Sequence, residues 1–263
     1  MIARLGRGWR VVATGLSFTA FGIGGLLLLV PGVPIMYLLL PERARRQKTA
    51  RLLVHGLMRL FVQFMWALGV LRFSFRRAEL LRRPGLVIAA NHPTLLDVVF
   101  LISAVPNATC IVRAGLASNP FTRAPVRLAG YLCNDWGVEL VDACVAALRA
   151  GSSLIVFPEG TRSNAAQQQN WHRGAANIAL RAGLPLTPVH INCDPPTLRK
   201  GEPWWQVPAR RVRYCIKVLD DLPVAGGALH GREEPKAARA LTERLQGLLT
   251  QASGTQWSSL NEN

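Results

Sequence analysis

The chain opens on an unbroken apolar run. From Val11 to Leu40 no residue is charged, and Val11 to Val30 alone is long enough as a helix to cross about 30 Å of hydrocarbon. Such a run predicts a lipid-embedded segment. Arg4, Arg7 and Arg10 precede it, while Arg43, Arg45, Arg46 and Lys48 follow. If basic flanks prefer the cytoplasm, a simple crossing satisfies only one of them. Pro31, Gly32 and Pro34 are expected to break the helix near its end, which leaves room for a bent or re-entrant path with both flanks on one face. A cleaved signal peptide fits poorly, because the run is too long and lacks a small-residue cleavage site before the basic residues. In Leu52 to Val70, His55, Arg59 and Gln63 are spaced four apart among Leu, Phe, Met and Trp. They share one helical face, so the segment reads as an amphipathic helix lying on a bilayer or on the protein itself.

From about Phe73 the pattern changes to short apolar runs separated by helical stretches. Leu86 to Ala90, Thr109 to Val112, Leu154 to Phe157, Leu186 to Ile191 and Val212 to Val218 read as strands. Leu95 to Ala104, Pro120 to Ala129, Val141 to Ala150 and Trp171 to Ala182 read as helices. The alternation predicts an α/β fold, a mixed sheet with flanking helices, with active-site loops at strand ends. A last segment, Pro235 to Thr250, opens on proline and spaces Ala238, Leu241, Leu245 and Leu248 for a one-sided helix. The expected organisation is a membrane-associating helical segment over 1–72, a catalytic α/β domain over 73–222, and a C-terminal amphipathic helix and tail over 223–263.

Composition narrows the partners. Half of the 263 residues are hydrophobic and the formal net charge is +16. That excess favours an anionic partner: nucleic acid, a bilayer face or a phosphorylated small molecule. Nucleic acid explains the charge but not the lipid-length apolar run, and the chain has no zinc spacing, ribonucleoprotein aromatic pattern or basic heptad helix. The five cysteines, Cys110, Cys133, Cys144, Cys193 and Cys215, include no close pair and read as small buried hydrophobes in a reducing compartment.

Two constellations carry chemistry. Asn91-His92-Pro93-Thr94-Leu95-Leu96-Asp97 follows an apolar strand. Proline after His92 suits the first turn of a helix and makes His92 a cap. Helical side chains lean toward the N-terminus, so Asp97 is expected to point back at the imidazole, fix its tautomer and favour the imidazolium, as a general base requires. An isolated match of this kind is more often a capping arrangement. The second, Phe157-Pro158-Glu159-Gly160-Thr161-Arg162-Ser163, also ends a strand. Gly160 permits a tight backbone path, Arg162 offers a forked donor for phosphate oxygens, and Glu159 is placed to hold that arginine or the acceptor in register. Alone, it reads equally well as a polar turn with a local ion pair.

Together the two blocks resemble the glycerolipid acyltransferase family, whose best-known members are lysophosphatidate acyltransferases. His92 and Asp97 fall on that family's His-four-residues-Asp motif, and Phe157 to Arg162 on its Phe-Pro-Glu-Gly-Thr-Arg motif. Weaker blocks align as well: Asn119-Pro120-Phe121 with Arg127-Leu128-Ala129-Gly130 and Asp135, then His172-Arg173-Gly174-Ala175, Ala182-Gly183-Leu184-Pro185 and Pro188-Val189. The resemblance spans Leu86 to Ile191. Trp136 stands where the family usually has a basic or amide residue, and Arg113 where lysine is common.

The resemblance implies that His92 and Asp97 are catalytic and that Asn91, Arg113, Glu159, Gly160, Thr161 and Arg162 bind substrate. It implies acyl transfer from acyl-CoA or acyl carrier protein to a lysophospholipid hydroxyl, most simply 1-acyl-glycerol-3-phosphate, with the thioester as co-substrate and no metal or other cofactor. The expected setting is the membrane, with the active domain on the cytoplasmic face. The absence of a Gly-x-Ser-x-Gly elbow argues for direct transfer between two bound substrates. The rival readings are an acyltransferase for another lipid acceptor, a thioesterase in which water replaces the lipid, and a silent lipid-binding module of the same fold. His55, His172, His190 and His230 lack an acid at comparable spacing and read as structural or surface residues.

Overall fold

The computed structural model describes residues 2–134, 139–162, 171–224 and 233–254. Asp135, Trp136, Ser163 and His230 lie outside the described residues.

The apolar run is a nearly continuous helical rod: α1 (Ile2–Leu27), one π-helical turn (Leu28–Gly32) and α2 (Val33–Leu39). The break expected at Pro31 does not occur. Pro31 lies inside the π turn, where the wider hydrogen-bond ring absorbs a missing donor, and Pro34 falls in the first turn of α2, where no intrahelical donor is needed. The chain leaves the helix at Leu40, with φ −130° and ψ 73°. The rod contains a 34-residue stretch, Gly6–Leu39, long and apolar enough to cross a membrane, and little of its most apolar window is buried (11%).

α3 (Arg43–Ala67) follows. It buries Ala50, Val54, Val62 and Met65 against α4 (Asp97–Ala104) and α6 (Arg123–Ala129). Arg59 and Gln63 are exposed as expected, but so are Leu52, Leu53, Leu60, Phe64 and Trp66. The helix therefore has two apolar faces, one packed on the domain and one left to the surroundings. The border drawn at residue 72 falls inside β1 (Leu71–Arg76), and the buried residues of α3 belong to the same core cluster as that strand.

Among the described residues the remaining strands are β2 (Val87–Ala90), β3 (Ala108–Val112), β4 (Leu132–Cys133), β5 (Ser153–Val156), β6 (Leu186–Asp194) and β7 (Val212–Val218). They form one seven-stranded sheet in the order β1-β7-β6-β2-β5-β3-β4. All pairs are parallel except β6 with β7, so the sheet is mixed, as the strand and helix alternation predicts. The sequence pattern misses β1, where arginines alternate with Leu and Phe, and the two-residue β4. The helix expected over Pro120–Ala129 is α6, which starts three residues later, and the short α5 (Ala114–Ser118) before it has no counterpart in the sequence pattern.

Side chains alternate across the sheet, which places Ile88, Ala90 and Ile155 in one core with Phe100 and Tyr214. Val87, Ala89, Leu154 and Val156 enter the other, against α7 (Glu139–Arg149), α8 (Gly174–Ala182) and α9 (Glu233–Gly254). Each fully buried aliphatic side chain contributes about 1.5–3 kcal/mol of transfer free energy, so both layers are held by the central strands. α9 buries Ala238, Leu241, Leu245 and Leu249. β2 lies at the centre with β6 on one side and β5 on the other, and the carboxyl ends of such strands frame the ligand crevice of open α/β sheets.

Candidate active site

Asn91 and His92 directly follow β2, and Phe157 to Arg162 directly follow β5. Because β2 and β5 are parallel neighbours, the two motifs come together at one sheet end although 67 residues separate His92 from Glu159. That contact is explicit: Glu159 Oε1 accepts the His92 backbone N–H at 3.1 Å. Phe157 stacks on the His92 ring, with centroids 4.1 Å apart and planes at 22°.

The segment from Pro93 to Leu96 is not helical, so His92 is no helix cap. α4 begins at Asp97, and the Asp97 carboxylate organises the turn before it. Its Oδ2 accepts the Thr94 N–H and its Oδ1 the Thr94 hydroxyl, both at 2.6 Å. His92 Nδ1 stands 2.8 Å from the same Oδ2. Donors converging on this carboxylate favour its ionised form and fix Nδ1 as the protonated ring nitrogen, which leaves Nε2 to take a proton from a substrate. Asp97 is fully buried. Burial pushes its carboxyl above the ordinary range, and the bonds from His92 and Thr94 oppose that push.

A further layer lies behind. Tyr214 of β7 donates its hydroxyl to Thr94 Oγ1 at 3.1 Å. Burial raises the Tyr214 phenol well above its usual value, so it stays a donor. The result is a chain of hydrogen bonds, Tyr214–Thr94–Asp97–His92, running from the core to the crevice. Thr94 sits within the motif and Tyr214 lies 120 residues away from it. No sequence signal singled out either.

The expected substrate-binding residues divide. Asn91 uses both ends of its amide on Ile191 of β6, donating to its carbonyl at 2.8 Å and accepting its N–H at 2.7 Å. It stitches β2 to β6 just beyond their last paired residues, Ala90 and Val189. Arg113 follows β3 and donates to the Gly160 carbonyl at 3.4 Å. Arg162 Nη1 donates to the carbonyls of Leu198 and Arg199, each at 2.9 Å. Glu159 is buried, and its Oε1 accepts the His92 amide. Gly160 has φ +65°, and a Cβ there would come within 2.9 Å of the His172 ring. Both facts require glycine. Thr161 is half-buried beside it. Among the other histidines, His55 Nδ1 lies 2.8 Å from the Ile102 carbonyl and His190 Nε2 lies 2.9 Å from Ser253 Oγ. The first joins α3 to α4, and the second joins β6 to α9.

A carboxylate-held histidine thus stands at the end of a central strand, beside a loop that presents arginine, an arrangement chemically able to pair proton removal with recognition of an anionic group. Residues 72–192 match the acyltransferase family model. The 1-acyl-sn-glycerol-3-phosphate acyltransferase of Pseudomonas aeruginosa is 25% identical over 243 residues, covering 90% of this chain and 86% of that one. A Caenorhabditis elegans protein, described as a 1-acyl-sn-glycerol-3-phosphate acyltransferase, is 29% identical over 155 residues, 53% of this chain and 51% of its own. The fold is that of the 1-acyl-sn-glycerophosphate (LPA) acyltransferase PlsC from Thermotoga maritima, with TM-score 0.65, 18% identity, and coverage of 92% of this chain and 97% of that one. Residues 72–192 are an acyltransferase-family domain, and the chain is 1-acyl-sn-glycerol-3-phosphate acyltransferase-like and an O-acyltransferase.

Proposed function

We propose that the enzyme transfers a fatty acyl group from an acyl thioester, carried on CoA or acyl carrier protein, to the free hydroxyl of 1-acyl-glycerol-3-phosphate, giving phosphatidate. The observation that carries this reading is the His92–Asp97 pair at 2.8 Å, set against the loop bearing Gly160 and Arg162. His92 Nε2 removes the proton from the lysolipid hydroxyl as its oxygen attacks the thioester carbonyl carbon. The tetrahedral intermediate collapses, the carbon–sulfur bond breaks, and the imidazolium returns its proton to the leaving thiolate. Asp97 steadies the imidazolium, and Thr94 and Tyr214 hold Asp97. Arg162 and Arg113, on either side of Gly160, meet the acceptor phosphate, Arg162 through the guanidinium nitrogens not spent on Leu198 and Arg199. Asn91 and Glu159 position the loops. The thioester is a substrate, and the reaction draws on no metal or other cofactor.

The rod of α1 and α2 and the outer face of α3 associate with the bilayer, and residues 73–222 perform the transfer on its cytoplasmic side, where the acyl donors are found. α9, within 223–263, closes the far layer of the domain. The test is a product assay with full-length protein, radiolabelled acyl-CoA or acyl carrier protein, and a panel of lysolipids. Phosphatidate formed from 1-acyl-glycerol-3-phosphate, absent with His92→Ala, is expected. Free fatty acid as the main product would make the protein a thioesterase, and acylation of neutral lysolipids alone would remove the phosphate from the arginine pocket.

A further inference from the structure

The connection from β6 to β7, residues 195–211, takes no part in the sheet, and no motif singles it out. At its centre are Trp204 and Trp205, ring centroids 5.7 Å apart at 87°, with 41% and 59% of their surfaces exposed. Indole is apolar in body and polar at its N–H, and two exposed side by side suit a membrane–water interface better than water.

The loop is fastened to the apolar rod. Arg7 Nε donates to the Val207 carbonyl at 3.1 Å, and Arg10 donates to Ala209 and, at 3.4 Å, to Pro208. Trp204 packs on Phe18, with centroids 6.1 Å apart, and comes so close to Gly15 that a Cβ there would lie 3.3 Å from its ring. The same helix exposes Trp9, Val12 and Leu16, so the tryptophans are fastened to an element that already presents apolar surface. Arg199, Lys200 and Arg210 are exposed around them. The acids nearby are Glu202, which accepts the Arg199 N–H at 2.9 Å, and Asp194, 3.6 Å from Arg210, so the rim keeps a positive excess. The loop's first residues reach the catalytic crevice: the Leu198 carbonyl accepts from Leu95 N at 3.2 Å and from Arg162 at 2.9 Å.

We infer that residues 199–210 form a second bilayer contact, which seats Trp204 and Trp205 at headgroup depth in an anionic membrane beside α1. Through Leu198 and Arg199, the same contact sets the loops bearing Leu95 and Arg162 at the lipid surface from which a lysolipid enters. An anionic bilayer is the partner because apolar indoles and a rim with a net positive excess occur together beside a lipid-length helix. The first half of the inference stands on the loop alone; the second rests on the acyl-transfer reading.

Trp205 is the side chain to change, since the packing contacts on α1 belong to Trp204. Full-length protein is bound to vesicles of equal parts phosphatidylcholine and phosphatidylglycerol whose chains carry bromine near the headgroup or near the bilayer centre, and tryptophan fluorescence is compared with that of Trp205→Phe. Shallow bromines are expected to quench a component that disappears in the variant, while deep bromines quench both proteins alike. Identical quenching by shallow bromines in both proteins would place Trp205 in water and overturn the docking surface. In activity, Trp205→Ala should raise KM severalfold for an acceptor held in vesicles and leave a short-chain, water-soluble acceptor unaffected. Equal loss on both acceptors would show that Trp205 acts through the fold, which overturns the coupling. A wild-type protein inactive on every acceptor would remove the acyl-transfer reading, and the quenching comparison would still decide the membrane contact.

Discussion

The two signature loops sit side by side at one end of the sheet and are built on opposite plans. In the His92 loop the polar groups are sunk and mutually held: Asp97 is 0% and Thr94 1% exposed, and the Asp97 carboxylate accepts from Thr94 and stands against the imidazole. In the Phe157–Arg162 loop Gly160 is exposed and Arg162 is half-buried, and exposed Arg113 leans on the Gly160 carbonyl. On the proposed mechanism the difference follows from the tasks. A general base works only if its geometry is fixed before the substrate arrives. A phosphate-bearing lipid must be admitted from outside, so its cations stay within reach of solvent and pay little for desolvation.

That contrast breaks most severely at His92. His92→Ala should lower turnover by a factor on the order of 10² to 10⁴ while leaving the unfolding temperature close to that of the wild type. Near-normal turnover in a folded variant would strip the buried loop of its chemical role. At the exposed loop the expected effect is on binding. Arg162→Lys loses the forked donor and should raise the acceptor KM by about tenfold with a smaller change in kcat; a rise confined to the donor KM would move Arg162 to the thioester side. Tyr214→Phe tests how deep the buried plan extends. Removing one neutral hydrogen bond at Thr94 costs about 1 kcal/mol, and turnover should fall a few-fold with both KM values unchanged. A KM effect would mean that Tyr214 touches substrate space.

The least expected effect on turnover comes from His190, which lies outside both loops and separates acid sensitivity of the fold from that of the site. Burial and the nearby charge of Lys217 hold its pKa down to about 4 from the ordinary 6.5. Between those values the unfolded chain binds a proton that the folded chain refuses, so stability falls as pH drops through that window. The loss approaches the order of 3 kcal/mol in full. Thermal unfolding followed from neutral pH to pH 4 should show a slope that His190→Gln flattens, while turnover at neutral pH is unchanged.

Local pattern determined much of this protein by itself. A charge-free run long enough to span a bilayer, period-two and one-sided apolar spacing, and two contiguous motifs after apolar strands are all properties of neighbouring residues. They predict the apolar helical segment, though not its continuation through Pro31, five of the strands, the α9 stripe and the identity of the His92–Asp97 pair without any partner. The tertiary structure decided what depends on residues far apart in sequence. β1 becomes an edge strand because β7 accepts it. The core face of α3 is set by α4 and α6, not by its own polar stripe. Asn91 binds Ile191, Tyr214 reaches Thr94, and residues 195–211 lie between α1 and the crevice, because parallel pairing of β2 with β5 and β6 gathers their carboxyl ends in one place. Periodicity specifies which side of an element avoids water; only the packed sheet specifies which element, or which lipid, that side meets.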